Sequence, residues 1–144
     1  FPTRRSSDLS DIEILRSVPG IGRVVLAVFV SEAWEILSRR DYRALRCFAG
    51  LAPVTRQSGG SRHVTRRRAA CRRLMTAVSK MAGVAVMHDP VSKARYESLR
   101  ARGLGCHRSL RTVGDRLAYV VCALLEKGEL FDKEYKKVPR DEAA

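Results

Sequence analysis

The chain has 144 residues, which is enough for one domain with a buried core. Hydrophobic residues make up 45% of it, so the composition excludes a disordered chain. The 28 Lys and Arg residues against 15 Asp and Glu give a formal net charge of +13, which indicates a polyanionic partner, most often nucleic acid. No apolar run approaches the roughly 20 residues of a membrane-spanning helix, and no signal peptide is visible, so we expect no membrane partner.

The cysteines, histidines and carboxylates give no metal-binding or hydrolase pattern. The four cysteines are scattered without a C-x-x-C pair, which favours a reduced, cytoplasmic setting. They are Cys47, Cys71, Cys106 and Cys122. We therefore expect no metal site in this chain.

The two ends of the chain are set apart from the fold. Residues 1–9, FPTRRSSDL, resemble the translation of a common sequencing adapter and are excluded from the fold prediction. Residues 133–144 form a charged tail that we expect to be loose. Residues 10–132 are expected to form one domain.

Helical spacing and capping residues predict a compact all-α domain. Ser10 and Asp11 predict the start of a helix that ends near Ser17, and Asp41 the start of a short helix whose Leu45, Phe48 and Ala49 face inward. The other predicted helices cover residues 23–38, 67–87, 91–102 and 107–127. The segment 53–64 between them is predicted as a glycine-containing loop, with room for a short extended stretch.

The segment LRSVPGIGRVVLA, residues 15–27, resembles a helix-hairpin-helix DNA-binding element that occupies about residues 11–38. Gly20 and Gly22 permit a sharp turn, and the next helix then begins with unpaired backbone N–H groups that can bind a phosphate. Ile21 would anchor the turn in the core, and Arg23 would strengthen the phosphate contact. The alternative is an ordinary helical hairpin without a ligand.

The sequence RQSGGSR, residues 56–62, has the composition of a catalytic loop for phosphodiester chemistry. Ser58 is the candidate nucleophile, and Gly59 would let the substrate approach closely. Arg56 and Arg62 would hold phosphate oxygens through charge-assisted hydrogen bonds. Ser61 is the alternative nucleophile, and His63 could orient or deprotonate the serine. The simpler interpretation is a polar surface loop.

A basic segment follows this loop, and no acidic residue occurs from Arg56 through Arg73. Its candidate DNA-binding residues are Arg66, Arg67, Arg68, Arg72 and Arg73. A solvated helix face is the alternative interpretation. A second basic set, assigned to general affinity, comprises Lys93, Arg95, Arg100, Arg102, Arg108 and Arg111.

Five phrases taken in order resemble the insertion-sequence transposase family 110/116/902. They are VPGIG, FAGLAPVTRQSGGSR, RRLMTAV, HDPVSKARYESLRARG and RTVGDRLAYVVCALLEKGELFD, and together they cover about residues 15–132. Many family members have a Lys/Arg-Gly-Asn step where this chain has Ala69-Ala70-Cys71.

The resemblance implies that this stretch is the C-terminal domain of a DNA transposase. The serine of the family's Gln-Ser-Gly element forms a covalent phosphoserine link with DNA, and it falls on Ser58. Family members also carry an N-terminal resolvase-like domain whose acidic residues bind Mg²⁺. The resemblance further implies a noncoding guide RNA, multimeric assembly and a nucleoid-associated location.

Without the acidic residues of the N-terminal domain, the stretch alone is expected to be inactive. The alternatives are a noncatalytic helix-hairpin-helix module that binds nucleic acid, and a decayed transposase remnant.

Overall fold

The structure is a computed structural model that describes residues 10–132. Within this range the chain forms seven α-helices and one antiparallel β-hairpin. The elements in chain order are α1 (Asp11–Ser17), α2 (Arg23–Glu32), α3 (Trp34–Ser38), α4 (Tyr42–Phe48), β1 (Pro53–Ser58), β2 (Ser61–Arg66), α5 (Arg72–His88), α6 (Pro90–Ala101) and α7 (Cys106–Lys127). The predictions for the adapter-like segment 1–9 and the tail 133–144 lie outside the described residues.

The predicted fold class is right for most of the chain and wrong in one region. The domain is mainly helical, but β1 and β2 pair where we predicted a loop with helix on both sides. Across residues 10–132, no helix is both long and apolar enough to cross a membrane.

Helix α5 is the centre of the core and packs against α2, α6 and α7. Its predicted inward residues are Leu74, Val78, Met81 and Ala85, and each is at most 2% exposed. Gly114 of α7 faces α5, and a Cβ at this position would lie only 2.9 Å from Val78 Cγ1. The two helices therefore pack closely because residue 114 has no side chain.

Local capping signals place several helix ends where the sequence predicted them. The Ser10 hydroxyl accepts the Glu13 N–H at 3.3 Å, while the Glu13 carboxylate accepts the Ser10 N–H at 2.8 Å, so α1 begins with a capping box. Asp41 accepts the Ala44 N–H at 3.0 Å at the start of α4. Gly128 ends α7 in the left-handed conformation, with φ of 71°.

Three details of the predicted helices are wrong. The helix predicted over residues 23–38 is broken at Ala33, whose φ of −124° and ψ of 6° leave the helical region. Phe48 is 36% exposed rather than inward. Helix α5 begins at Arg72 rather than residue 67, because the backbone is extended at Cys71, whose N–H donates to the Phe48 carbonyl oxygen at 2.9 Å.

A polar cluster joins α4 to α7. The Tyr42 hydroxyl donates to Asp115 Oδ1 at 2.8 Å, and Arg46 Nε donates to both Asp115 oxygens at 2.9 and 3.0 Å. Burial, followed by the hydrogen bond to Asp115, raises the pKa of Tyr42 well above its usual range. Tyr42 also packs edge-on against Tyr119, with ring centroids 5.3 Å apart. Asp115 is therefore the acceptor that fixes α4 on α7.

Replacement of Asp115 by alanine should lower the free energy of unfolding by about 1–3 kcal/mol, because the half-buried Arg46 and Tyr42 donors lose their acceptor. Urea denaturation followed by circular dichroism measures this change. Glu35→Ala is the matched control. Glu35 pairs with Arg39 across side chains that are 80% and 68% exposed, so its removal should cost less than about 0.5 kcal/mol. Equal losses in the two variants would contradict the assignment.

Candidate nucleic-acid interface and serine hairpin

Ser58 lies at the tip of the β-hairpin. The strands pair from Pro53 with Arg66 at the foot to Ser58 with Ser61 at the tip, and Gly59 and Gly60 form the turn. Gly59 has φ of 57°, a conformation that L-residues with a side chain rarely adopt. Gly59, which was predicted to support Ser58, therefore provides the left-handed backbone conformation of the turn that follows this serine.

The strand register places Arg56 and His63 on the same face of the hairpin as Ser58. Residues that oppose one another across antiparallel strands share a face, and the face alternates with each residue. Arg56 pairs with His63, and both lie two positions from the Ser58–Ser61 pair. His63 is diagonal to Ser58 at about 7–8 Å, and Arg56 is two residues from Ser58 on the same strand, at about 6–7 Å, so their long side chains can converge on one group.

Arg62 lies on the other face of the hairpin. It pairs with Gln57, one position from the tip, so its side chain leaves the sheet opposite to that of Ser58. Of the two arginines predicted to support the serine, the structure thus brings only Arg56 onto the serine's face. The sequence alone could not separate them, because both stand close to Ser58 in the chain.

The two tip serines differ in their hydrogen bonds. The Ser61 hydroxyl donates to the Ser58 carbonyl oxygen at 3.1 Å, which closes the turn. The Ser58 hydroxyl is exposed and makes no side-chain hydrogen bond to the described residues. Of the two hydroxyls, that of Ser58 is therefore the freer to bind a substrate.

The hairpin extends away from the helical body. Eleven of its twelve strand residues are exposed, and the exception, Val54, is only half-buried. A two-stranded hairpin that does not pack against a core is marginally stable in water. The turn and the strand pairing, rather than the core, set the position of Ser58.

The predicted DNA-binding arginines gather at the foot of the hairpin rather than beside Ser58. Arg66, Arg67, Arg68 and Arg72 line a cavity of about 540 Å³, together with Thr65, Ala70 and Met75. Five residue steps of about 3.3 Å separate Arg66 from Ser61, so the foot lies about 16 Å from the tip. The guanidinium of Arg73 instead pairs with Glu32 of α2 at 3.1 Å.

Arg111 of α7 also lies near this cluster. Burial, followed by the charges of Arg66 and Arg108, lowers the pKa of Arg111. The sequence placed Arg108 and Arg111 in a separate basic set, because the proximity of Arg66 to Arg111 has no local signal. The structure thus joins the two predicted basic segments at the hairpin foot.

Helices α1 and α2 flank the turn that was predicted as a helix-hairpin-helix element. Ile21 is 7% exposed, as expected for its anchoring role. Gly20 packs against α5: a Cβ there would lie 2.2 Å from the Met81 carbonyl oxygen. Gly22 and Arg23 are open to solvent, and in the described chain no side chain caps the first turn of α2. Gly20 thus has a packing role, whereas Gly22 and Arg23 are available to a ligand.

The described residues do not supply a ligand set for magnesium. Between residues 10 and 132 there is no group of three or more His, Cys, Asp or Glu side chains placed to hold a metal ion.

Three known proteins that are similar to this chain come from insertion sequences. Residues 12–97 match the model of the Transposase IS116/IS110/IS902 family. The mini-circle protein of IS117 from Streptomyces coelicolor is 34% identical over 136 residues, covering 94% of this chain and 33% of that protein. A 44.8 kDa protein of IS116 from Streptomyces clavuligerus is 34% identical over 122 residues, covering 83% of this chain and 30% of that protein.

A third relative is the 43.6 kDa protein of IS110 from Streptomyces coelicolor, 31% identical over 120 residues, with 83% of this chain and 30% of that protein covered. The chain belongs to the Transposase IS116/IS110/IS902 family, whose model matches more than half of its length. It spans about a third of the length of the curated relatives it matches.

Proposed function

We propose that the chain is the strand-joining domain of a larger DNA transposase and that Ser58 is its nucleophile. The observation that carries the proposal is the position of Ser58, exposed at the tip of a basic hairpin with Arg56 on the same face. Membership of a transposase family gives this hairpin DNA as its substrate class. The span of about a third of each relative is the reason to treat it as one domain of a larger protein.

The proposed chemistry is a phosphoryl transfer through a covalent intermediate. The Ser58 oxygen forms a bond to a backbone phosphorus, and the bond from phosphorus to one deoxyribose oxygen breaks. The serine proton leaves for a base, for which His63 is the group on the same face, and the departing deoxyribose oxygen gains a proton. A hydroxyl of another strand then bonds to the phosphorus while the bond to the Ser58 oxygen breaks, and the proton of that hydroxyl passes to Ser58, so the phosphodiester is restored without an external energy source.

Arg56 is the residue placed to stabilise this reaction. Negative charge builds on the phosphate oxygens in the transition state, and a guanidinium on the same face can bind two of them. The Arg62 side chain projects from the opposite face of the hairpin, so we assign it to binding of the flanking DNA backbone. Gly22 and Arg23 at the start of α2 supply a second, sequence-independent phosphate contact.

Three other parts of the proposal rest on the family alone. They are a noncoding guide RNA, assembly into multimers, and magnesium bound by acidic residues of another domain.

The test is to trap a covalent protein–DNA adduct. A chimera in which this chain replaces the matching 136-residue segment of the IS117 mini-circle protein provides the rest of the protein. The chimera should form an adduct with its element's DNA ends that survives denaturation, and Ser58→Ala should remove it while DNA binding persists. Ser61→Ala is the matched control and should retain most of the adduct, since the Ser61 hydroxyl is bonded to the Ser58 carbonyl oxygen and the strand pairing with Gly59 still forms the turn.

Two results would reject the proposed role of Ser58. One is an adduct that persists in Ser58→Ala but disappears in Ser61→Ala, which would assign the reaction to Ser61. The other is DNA binding by the chimera without any adduct, while the parent IS117 protein forms one. That result would favour a noncatalytic nucleic-acid-binding module.

A further inference from the structure

The cavity at the foot of the hairpin has the size and lining of an anion site. Its volume of about 540 Å³ falls in the range of ligand pockets, roughly 300–1,000 Å³. Four of its seven lining residues are arginines, and none is acidic. The four arginines are Arg66, Arg67, Arg68 and Arg72.

The positive charge around this cavity is not balanced by the described chain. Nε of Arg67 is buried and has no hydrogen-bond partner there. Arg66 and Arg108 are close enough to lower the pKa of Arg111, after its burial. In contrast, the neighbouring Arg73 has a carboxylate partner in Glu32, so the fold does neutralise an arginine outside the cavity. An anion in the cavity would relieve the repulsion and satisfy the buried donor.

We propose that this cavity binds a backbone phosphate of nucleic acid and anchors the strand about 16 Å from the phosphate that Ser58 attacks, a distance set by the hairpin at about 3.3 Å per residue. This inference rests on the proposed function for its ligand class. The guanidinium groups at the foot lie beyond reach of the tip, so they hold a different phosphate. In B-form DNA the same distance corresponds to about five steps of 3.4 Å along one strand.

The anchoring site has a measurable signature in the salt dependence of binding. Each phosphate contact that a protein makes adds about 0.9 to the slope of log affinity against log salt concentration. Loss of the anchored phosphate should therefore lower that slope by about 1. Affinity at low salt should also fall roughly 10-fold or more, because charge-assisted hydrogen bonds are lost.

The experiment measures binding of the 144-residue chain to a fluorescent 20-base-pair duplex by anisotropy between 50 and 300 mM salt. The test variant is Arg67→Gln/Arg72→Gln, with Arg72→Gln alone as a milder change at an exposed position. The matched control is Arg43→Gln/Lys80→Gln, which removes the same charge from exposed positions on α4 and α5 outside the cavity. Circular dichroism checks that every variant is folded.

A lower slope and weaker binding in the test variants, with a smaller change in the control, are the expected result. Equal changes in test and control variants would overturn the proposal, since the effect would then be one of net charge. Inorganic phosphate and pyrophosphate provide the second arm. If either binds the chain at micromolar concentration and leaves the duplex bound, the site takes free phosphate rather than backbone.

The outcome is independent of the chemistry at Ser58. Binding to intact duplex requires no covalent step, so the slope does not depend on the reaction of Ser58. If the test variants lower the salt slope but the chimera forms no adduct, Ser58 is not the nucleophile and the anchoring site stands. If the chimera forms the adduct but the test variants leave the salt slope unchanged, the anchoring site is rejected and Ser58 stands as the nucleophile.

Discussion

Replacement of Gly20 by alanine should destabilise the domain by about 3–5 kcal/mol, which is a large share of the 5–15 kcal/mol that typically holds a domain together. Two costs add. Gly20 has φ of 89°, where an L-residue loses about 1–2 kcal/mol. The new methyl group would also lie 2.2 Å from the Met81 carbonyl oxygen, in the middle of α5, where the backbone cannot yield cheaply.

Gly22→Ala is the matched control two residues further on. Its φ lies outside the left-handed region, and a Cβ there meets no atom within 4 Å, so the change should cost less than about 1 kcal/mol. Urea denaturation of both variants tests the difference, and similar midpoints would refute it.

Because Gly22 faces solvent, a bulky residue at this position tests DNA binding without disturbing the core. If α2 holds a phosphate, a folded variant with a bulky residue at position 22 should bind duplex more weakly.

Local chemistry is the part of the fold that the sequence predicts well. Ser10 and Asp41 each mark a helix start through interactions within a few residues, and the helix predicted over residues 107–127 ends where Gly128 ends α7. The spacing of Leu74, Val78 and Met81 likewise fixes the buried face of α5. These features need no knowledge of distant contacts.

The errors occur where distant contacts decide. Ala33 has no helix-breaking side chain, yet the helix is interrupted there, between Phe29 and Leu37, which are both fully buried. The helix predicted from residue 67 begins only at Arg72, because the Cys71 N–H donates to the distant Phe48 carbonyl oxygen. Such interruptions follow from tertiary packing, which outweighs weak local preferences.

The candidate site shows the same division. Its residue types, Ser58 with flanking glycines and arginines, are visible in the sequence. The separation of Arg56 from Arg62 requires the strand register, and the joining of Arg66 with Arg111 requires the packing of α7. A chain segment that is continuous in sequence thus becomes a tip and a foot about 16 Å apart, by the rise of a strand.

Replacement of Gly59 in the hairpin turn by alanine should lower the amount of adduct roughly 10-fold, which is the second large expected effect. Gly59 has φ of 57°, so a side chain at this position costs about 1–2 kcal/mol. The strands of the hairpin hold Ser58 largely by themselves, because the hairpin packs little on the core. That energy is therefore enough to disfavour the turn that positions the Ser58 hydroxyl, and 1.4 kcal/mol corresponds to about a factor of ten.

Gly60→Ala isolates the cause. The two glycines are adjacent, and a Cβ meets no atom within 4 Å at either position, but only Gly59 has a left-handed backbone. Adduct formation by the chimera should fall in Gly59→Ala and stay within about threefold of normal in Gly60→Ala, a difference of roughly 0.7 kcal/mol or less. The urea midpoints should match in all three proteins, since the core is untouched. If both variants lose the adduct equally, close approach of the substrate to the glycines, rather than the turn conformation, is what the reaction requires.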